Sequence, residues 1–275
     1  MTAIHTGCET SPASGREAGR GAALVFFGTV ALLFTAAAVV TILSGAAMET
    51  MGAVPMAGGW LLSGIWLPLC GQSWLETAAC FLGMWLVMMV TMMLPSLAPA
   101  LWRYREAVCA AGANRPGGLA TLAGASYFAV WTGFGLLTFL LGASLAQAAL
   151  QFPSLGRLGP IAGALAILIA GLAQASRWKA RLLADCHGAP HAAQTHPGAM
   201  AALGAGAILG LRCCLSCLGP MTMLTAGGLM DLRLMAGVTI AITAERLLPA
   251  ETRIADAIGV VMAAAGLLLF VQMLG

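Results

Sequence analysis

The side chains best suited to chemistry in this sequence are sulfur-bearing residues at helical spacing within one apolar segment. Cys213, Cys217 and Met221 stand at positions i, i+4 and i+8, so a helix would present their sulfur atoms on one face. Arg212 precedes them, and a charge at the centre of a bilayer costs about 2.5–3.5 kcal/mol on insertion scales, so it normally faces a partner or a polar cavity. Thiolates and thioethers select soft ions such as Cu(I). Because two thiolates, one Cu(I) and one arginine sum to zero charge, the segment predicts a soft-metal site balanced by Arg212.

A second stripe of sulfur atoms lies in an earlier apolar segment. Cys80, Met84, Met88 and Met92 also follow steps of four residues. If the two segments are neighbouring antiparallel helices, Met88 comes level with Cys213 and the stripes face each other as metal ligands. Methionine and cysteine are also ordinary apolar fillers, so plain packing is the competing interpretation of this stripe.

A polar segment between two later apolar runs collects further metal-binding residue types. Cys186, His187, His191 and His196 fall close together in a stretch that also contains glycine and proline. Imidazole and thiolate groups suit zinc or copper, but the spacing matches no closed zinc module. The segment predicts a site where metal is exchanged at the inner surface, and a solvated loop with incidental histidines is the alternative.

An acidic residue stands at the end of another apolar run, in the dipeptide Glu245-Arg246. A carboxylate at this position predicts a gate or a proton acceptor. The alternative is an interfacial ion pair that contributes little to stability.

Thiol–disulfide chemistry is a rival function for the cysteines. Residues four apart on a helix have Cβ atoms about 5–6 Å apart, whereas a disulfide requires about 3.5–4.5 Å. A bridge to Cys213 or Cys217 would therefore need a partner on another helix, such as Cys80.

The composition decides which elements position these residues. Of 275 residues 60% are hydrophobic and 8% are charged, whereas roughly 25% of the residues in globular proteins are charged. A membrane-spanning helix needs about 20 mostly apolar residues. The runs that meet or approach this length are 23–47, 75–101, 119–149, 158–175, 201–226, 234–249 and 256–274. The sequence therefore predicts an all-α bundle of about seven spans, or six if the short run at 234–249 does not cross. The apolar but Gly- and Pro-broken segment 51–72 is predicted to be interfacial.

The distribution of basic residues predicts the orientation. With the N-terminus inside and seven alternating spans, ten of the thirteen lysines and arginines lie in inside segments and two in outside segments. This places a multi-pass protein in a bacterial-type inner membrane with its C-terminus outside. Residues 1–22 then form a polar cytoplasmic tail, and 23–275 form the transmembrane domain.

Several functional classes find no support in the sequence. The net charge of +3 is small, so it gives no indication of nucleic-acid binding. The sequence also lacks a P-loop, a dinucleotide fingerprint and a Gly-x-Ser-x-Gly elbow. An enzymatic function is therefore not favoured, and any transport would be passive, ion-coupled or dependent on another subunit.

Residues 75–265 resemble the domain-of-unknown-function 2182 family of predicted metal-binding integral membrane proteins. The resemblance is carried by MWLVMMVTMMLP at 84–95, the spacing of Gln174, Lys179 and Cys186, the pattern G-x-x-C-x-x-x-C-x-x-x-M at 210–221, and Met230 followed by Glu245. It implies a metal-binding membrane protein and adds Gln174 and Lys179 to the residues expected to balance charge or gate the site. The sequence departs from the family pattern at Leu182, His187, Ser216 and Arg246, where the family has Cys, Arg, Cys and Lys.

The resulting hypothesis is an integral membrane protein that binds a soft metal such as Cu(I), and transports or delivers it, through intramembrane Cys and Met ligands. Its expected partners are the lipid bilayer and a metallochaperone or another membrane subunit. Two alternatives stay open at this point: a non-catalytic membrane anchor or assembly subunit, and a membrane thiol oxidoreductase.

Overall fold

A computed structural model describes residues 14–49, 54–56, 61–62, 64–68, 71–176, 179, 198–228, 231–248 and 253–274. Within these residues the fold consists of seven α-helices and one short hairpin. The helices are α1 (Ser14–Glu49), α2 (Trp74–Ala110), α3 (Pro116–Gln151), α4 (Pro153–Gln174), α5 (Ala199–Gly227), α6 (Leu232–Leu247) and α7 (Ile254–Leu274). The hairpin pairs strand β1 (Val54–Pro55) with β2 (Leu61–Leu62), and a 3₁₀ turn at Gly64–Trp66 follows.

The all-α fold predicted from hydropathy is confirmed. Six of the helices are long and apolar enough to cross a membrane, as expected of a multi-pass membrane protein. The exception is α6, whose 16 residues rise only about 24 Å, less than the roughly 30 Å hydrocarbon core. By length and composition, the described helices therefore include six candidate spans. The orientation in the membrane remains a prediction.

Local sequence signals explain where several helices begin. The Ser73 side chain accepts from the Glu76 backbone N–H while Glu76 bonds back to the Ser73 N–H, which is a capping box for α2. Proline stands in the first turn of α3 and of α4, where its missing N–H is not needed. Asp231 accepts from two backbone N–H groups and caps α6.

Glycines set the close contacts between helices. A Cβ atom at Gly206 of α5 would collide with the backbone of Ala123 in α3, and one at Gly210 would press on Tyr127. Because both pairs of numbers rise together, α3 and α5 run parallel. Small residues allow such close approach between membrane helices. This contact fixes α3 against the helix that carries the cysteines.

Helix α4 packs antiparallel to both of its main neighbours. Gly163 approaches Ala226 and Gly219 approaches Gln174, which pairs the end of α4 with the middle of α5. The helix also packs against α7, where a Cβ at Gly171 would strike the backbone of Ala263. The C-terminal end of α4 is thereby held next to the turn of α5 that contains Cys217.

Among the described helices, α2 contributes the most buried residues. Its four central methionines are 0–1% exposed, and they share one apolar core with the cysteines of α5. The indole N–H of Trp85 donates to the Trp131 carbonyl oxygen at 3.0 Å and holds α2 against α3. Outward-facing leucines such as Leu24 of α1 and Leu172 of α4 are 75% and 65% exposed, as expected for lipid-facing positions. The sulfur-bearing residues thus lie where α2, α3 and α5 meet.

Candidate metal centre

Three sulfur atoms meet in the core between α2 and α5. The Sγ of Cys213 lies 4.0 Å from the Sγ of Cys217 and 3.9 Å from the Sδ of Met93. The three residues are at most 1% exposed. Both cysteines are free thiols. Two thiols and a thioether in a dry core form a donor set that suits a soft metal ion.

A phenol from α3 reaches the same cluster. The hydroxyl of Tyr127 lies 2.8 Å from the Sγ of Cys213, and the tyrosine is fully buried. Its position follows from the close packing of α3 on α5 at Gly210. A hydrogen-bonded phenol orients the sulfur atom, as second-shell groups do around metal ligands.

A buried polar cluster lies beside the thiols. Lys179 and Glu245 form an ion pair with Nζ and Oε2 2.9 Å apart, and the amide of Gln174 donates to the other carboxylate oxygen. The Lys179 ammonium also donates to the backbone carbonyl of Ser216. That carbonyl is available because Pro220, four residues later in α5, has no N–H with which to bond it. Proline thus opens the helix at the turn where the lysine binds.

The hydroxyl of Ser216 links this polar cluster to the thiols. It donates to the Cys213 carbonyl oxygen at 2.9 Å and accepts from Nη2 of Arg246 at 3.0 Å. It also lies 3.8 Å from the Sγ of Cys217. The Ser216 hydroxyl therefore lies between the Arg246 guanidinium and the sulfur of Cys217, which is a candidate ligand. Arg212, the residue predicted to balance charge, is half-buried on the same helix.

The helix register differs from the one expected. The sequence pattern placed Met88 level with Cys213, whereas the structure places Met93, more than one turn further along α2, against that thiol. Met88 and Met92 are fully buried in the same core, Met221 is 2% exposed and Met84 is half-buried against it. The expected contact between α2 and α5 thus exists, but the methionine that contacts Cys213 is Met93, which is not part of the stripe formed by Cys80, Met84, Met88 and Met92.

The other expected contacts have mixed outcomes. Glu245 pairs with Lys179, and Arg246, its expected interfacial partner, bonds Ser216. Cys80, the candidate disulfide partner, is an exposed free thiol. Residues Cys186, His187, His191 and His196 lie outside the described residues. Within the part of the chain that the structure describes, no group of three or more His, Cys, Asp or Glu side chains is arranged so that it could hold a metal ion.

Sequence reasoning did not select Met93 and Tyr127 as site residues. Met93 belongs to the run Met92-Met93 within α2, and with Met89 it forms a second pair of methionines four residues apart. Tyr127 is one of two tyrosines in the chain and stands in an apolar helix, where a buried hydroxyl requires a partner. These two signals were available in the sequence.

Comparison with known proteins identifies the family. The family model PpoB2, described as copper chaperone, matches residues 82–269, a region that contains Met93, Tyr127, Cys213, Cys217 and the polar cluster beside them. No curated protein and no solved structure matches the chain. The match does not name the 2182 family, but it agrees with the copper chemistry expected from the sequence. Because the matched region is well over half of the sequence, this chain belongs to the PpoB2 copper chaperone family.

Proposed function

We propose that this membrane protein binds one Cu(I) ion between Cys213, Cys217 and Met93 and passes it to a partner protein. The single observation that carries the proposal is the position of the Cys213 sulfur within 4.0 Å of both the Cys217 and the Met93 sulfur, in a buried core. Copper is the cargo in this proposal. The family's copper description supports the choice of metal.

The distance between the two thiols fits a shared metal ion. A disulfide has sulfur atoms about 2.05 Å apart, whereas two metal–thiolate bonds of about 2.3 Å each can span up to about 4.6 Å. The observed 4.0 Å between Cys213 and Cys217 falls within the second range and far outside the first. Met93 supplies a third soft donor from the opposite helix.

The neighbouring charges match this cargo. Two thiolates and one Cu(I) carry a net charge of −1, and a buried charge needs a partner. Lys179 and Glu245 cancel each other, and the Arg246 guanidinium behind Ser216 contributes +1. The loaded site and its polar neighbours therefore sum to zero, with Arg246 in the role that the sequence had suggested for Arg212.

Entry and release would use further sulfur and imidazole groups. We assign Met84, Met88, Met92 and Met221, which line the same core, to the route within the membrane domain. We assign Cys186, His187, His191 and His196 to exchange at the inner surface, with Gln174, Lys179 and Glu245 as the gate between the two. A metallochaperone or partner membrane subunit would receive the ion.

The test is copper content after anaerobic Cu(I) loading of the detergent-purified protein, measured by elemental analysis. We expect near one copper per chain in the native sequence and none in the double variant Cys213→Ser/Cys217→Ser, with helix content and elution volume unchanged. Cys214→Ser is the matched control, because Cys214 is also a buried free thiol on the same turn. Stoichiometric copper in the double variant would refute the assignment. Absence of copper from the native protein would favour an anchor or assembly subunit.

A further inference from the structure

One buried hydrogen-bond donor in the core has no acceptor among the described residues. Trp131 of α3 is fully buried, and its indole ring packs edge-on against Phe134 with ring centroids 5.7 Å apart. Its backbone carbonyl accepts from Trp85, but its own indole N–H has no hydrogen-bond partner. A buried donor without a partner carries a desolvation penalty, and buried indole N–H groups usually find an acceptor. The unpaired N–H of Trp131 therefore requires an explanation.

The proposed copper ligand Cys217 has the complementary deficiency. In the loaded site each cysteine is a thiolate, and a charged acceptor in a buried core needs a donor. The Tyr127 hydroxyl, 2.8 Å away, is such a donor for Cys213. The Cys217 sulfur has the Cys213 thiol at 4.0 Å and the Ser216 hydroxyl at 3.8 Å. Because that hydroxyl donates to the Cys213 carbonyl, the Cys217 thiolate lacks a donor of its own among these contacts.

The packing of α3 on α5 relates the two helices turn by turn. They run parallel, and Ala123 lies against Gly206 just as Tyr127 lies against Gly210 one turn later. From that position the Tyr127 hydroxyl reaches the sulfur of Cys213, which lies further along α5. The same face of α3 is therefore directed toward the cysteine face of α5 over successive turns.

One further turn along both helices leads to the unpaired donor and to the ligand without a donor. Trp131 follows Tyr127 by four residues, and Cys217 follows Cys213 by four. Because parallel helices keep their register over a single turn, Trp131 has the same relation to Cys217 as Tyr127 has to Cys213. The indole makes no bond to the sulfur in this structure, as expected while Cys217 is a neutral thiol, which is only a weak acceptor.

We propose that Trp131 is a positioning residue whose indole N–H donates to the Cys217 thiolate when Cu(I) occupies the site. The inference rests on the proposed function, because it assigns the donor that completes the loaded site. Hydrogen bonds to an ionised acceptor are about twice as strong as those between neutral groups. The indole N–H lacks an acceptor in the free protein and gains one in the loaded protein, so it favours the loaded state. With Tyr127 on Cys213 and Trp131 on Cys217, each thiolate has one second-shell partner that orients it.

The test follows the indole N–H resonances of protein that carries isotope-labelled tryptophan, before and after anaerobic loading with Cu(I), an ion without unpaired electrons. The resonances lost in Trp131→Phe and in Trp85→Phe identify these two among the seven tryptophans. We expect the Trp131 resonance to move downfield on loading, as that of a proton does when it enters a hydrogen bond. The Trp85 resonance is the internal control, because its N–H already donates to the Trp131 carbonyl at 3.0 Å and should move less.

Variants then connect this signal to copper binding. Trp131→Phe keeps an aromatic ring but removes the donor, so we expect the affinity for Cu(I) to fall about tenfold in competition with a chelator. Trp102→Phe is the matched control, because the Trp102 N–H bonds Glu106 on its own helix, and its affinity should equal that of the native protein. Tyr127→Phe removes the donor to the other thiolate and should leave the downfield shift of Trp131 in place.

The outcomes separate this inference from the proposed function. Full copper content with an unmoved Trp131 resonance would overturn the inference and leave the copper site standing, even if Trp131→Phe binds copper more weakly, because the ring would then only fill space. Equal losses of affinity in Trp131→Phe and Trp102→Phe would overturn it as well. So would loss of the Trp131 shift in Tyr127→Phe, since the N–H would then depend on the other thiolate. Absence of copper uptake by the native protein would overturn the proposed function itself.

Discussion

Lys179 and Glu245 form an ion pair of 2.9 Å whose side chains are only 3% and 2% exposed. The pair joins the residue beyond the end of α4 to the end of α6, and the lysine also bonds the Ser216 carbonyl of α5. A buried ion pair adds little net stability, but removal of one partner leaves an uncompensated charge in the core. The ion pair and the bond to Ser216 therefore connect Lys179, α5 and α6 at the candidate site.

Removal of one member of this pair should strongly destabilise the fold. We expect Glu245→Gln to lower the free energy of unfolding by about 3–5 kcal/mol, because the Lys179 ammonium then lacks its counter-charge. The double variant Lys179→Met/Glu245→Gln should lose less than the sum of the two single variants. The measurement is unfolding in a denaturing detergent titration, analysed as a double-mutant cycle.

An exposed carboxylate provides the control for that cycle. Asp256 lies in the first turn of α7 and is exposed, so Asp256→Asn should change stability by no more than about 0.5 kcal/mol. Additive losses from Lys179→Met and Glu245→Gln would show that the two side chains do not interact in the folded protein.

The contact between α3 and α5 predicts opposite effects at two glycines of the same helix. At Gly206 a new methyl group would strike the Ala123 carbonyl, whereas at Gly204 nothing lies within 4 Å. Gly206→Ala should therefore destabilise the protein by about 1–3 kcal/mol through overpacking. Gly204→Ala should be neutral or slightly stabilising, since alanine favours helix. The measurement is the melting temperature of each variant. Equal melting temperatures for the two variants would contradict the close contact between Gly206 and Ala123.

The helices could be predicted because the bilayer imposes a simple rule on their composition. The apolar run 201–226, for example, corresponds to the helix Ala199–Gly227. The rule marks the apolar part of a helix and not its end: the run 75–101 stops at the arginines, whereas α2 continues to Ala110. Tyr104 and Val108 remain buried against α3 in that extension, so tertiary packing holds it in helical form.

The arrangement of the site could be predicted only in part. Spacing placed Cys213 and Cys217 on one face, and the family resemblance pointed to Gln174 and Lys179 near the end of α4. Which methionine meets Cys213 depends on the relative height and rotation of α2 and α5. Contacts such as that between Trp85 and Trp131 set those quantities, and the periodicity of a single helix carries no information about them.

The revised register makes Met93 the methionine ligand to test. Met93→Leu keeps volume and apolarity, so its effect on folding should stay below about 1.5 kcal/mol. We expect it to weaken Cu(I) binding on the order of tenfold, since even outer-shell changes lower metal affinity by about 10–100-fold. The measurement is competition with a calibrated Cu(I) chelator. Met84→Leu, on a half-buried methionine of the same helix, should leave affinity unchanged, and the reverse result would restore the register first expected.

Removal of the Tyr127 hydroxyl should weaken copper binding without loss of the fold. The phenol lies 2.8 Å from the Cys213 sulfur and is the only described side-chain oxygen within hydrogen-bonding distance of that atom. Because second-shell partners orient metal ligands, we expect Tyr127→Phe to lower Cu(I) affinity by about tenfold, measured by chelator competition. Tyr104→Phe is the control, since Tyr104 is the other tyrosine of the chain and is buried at the far end of α2. Equal affinities in the two variants would show that the phenol only fills space beside Cys213.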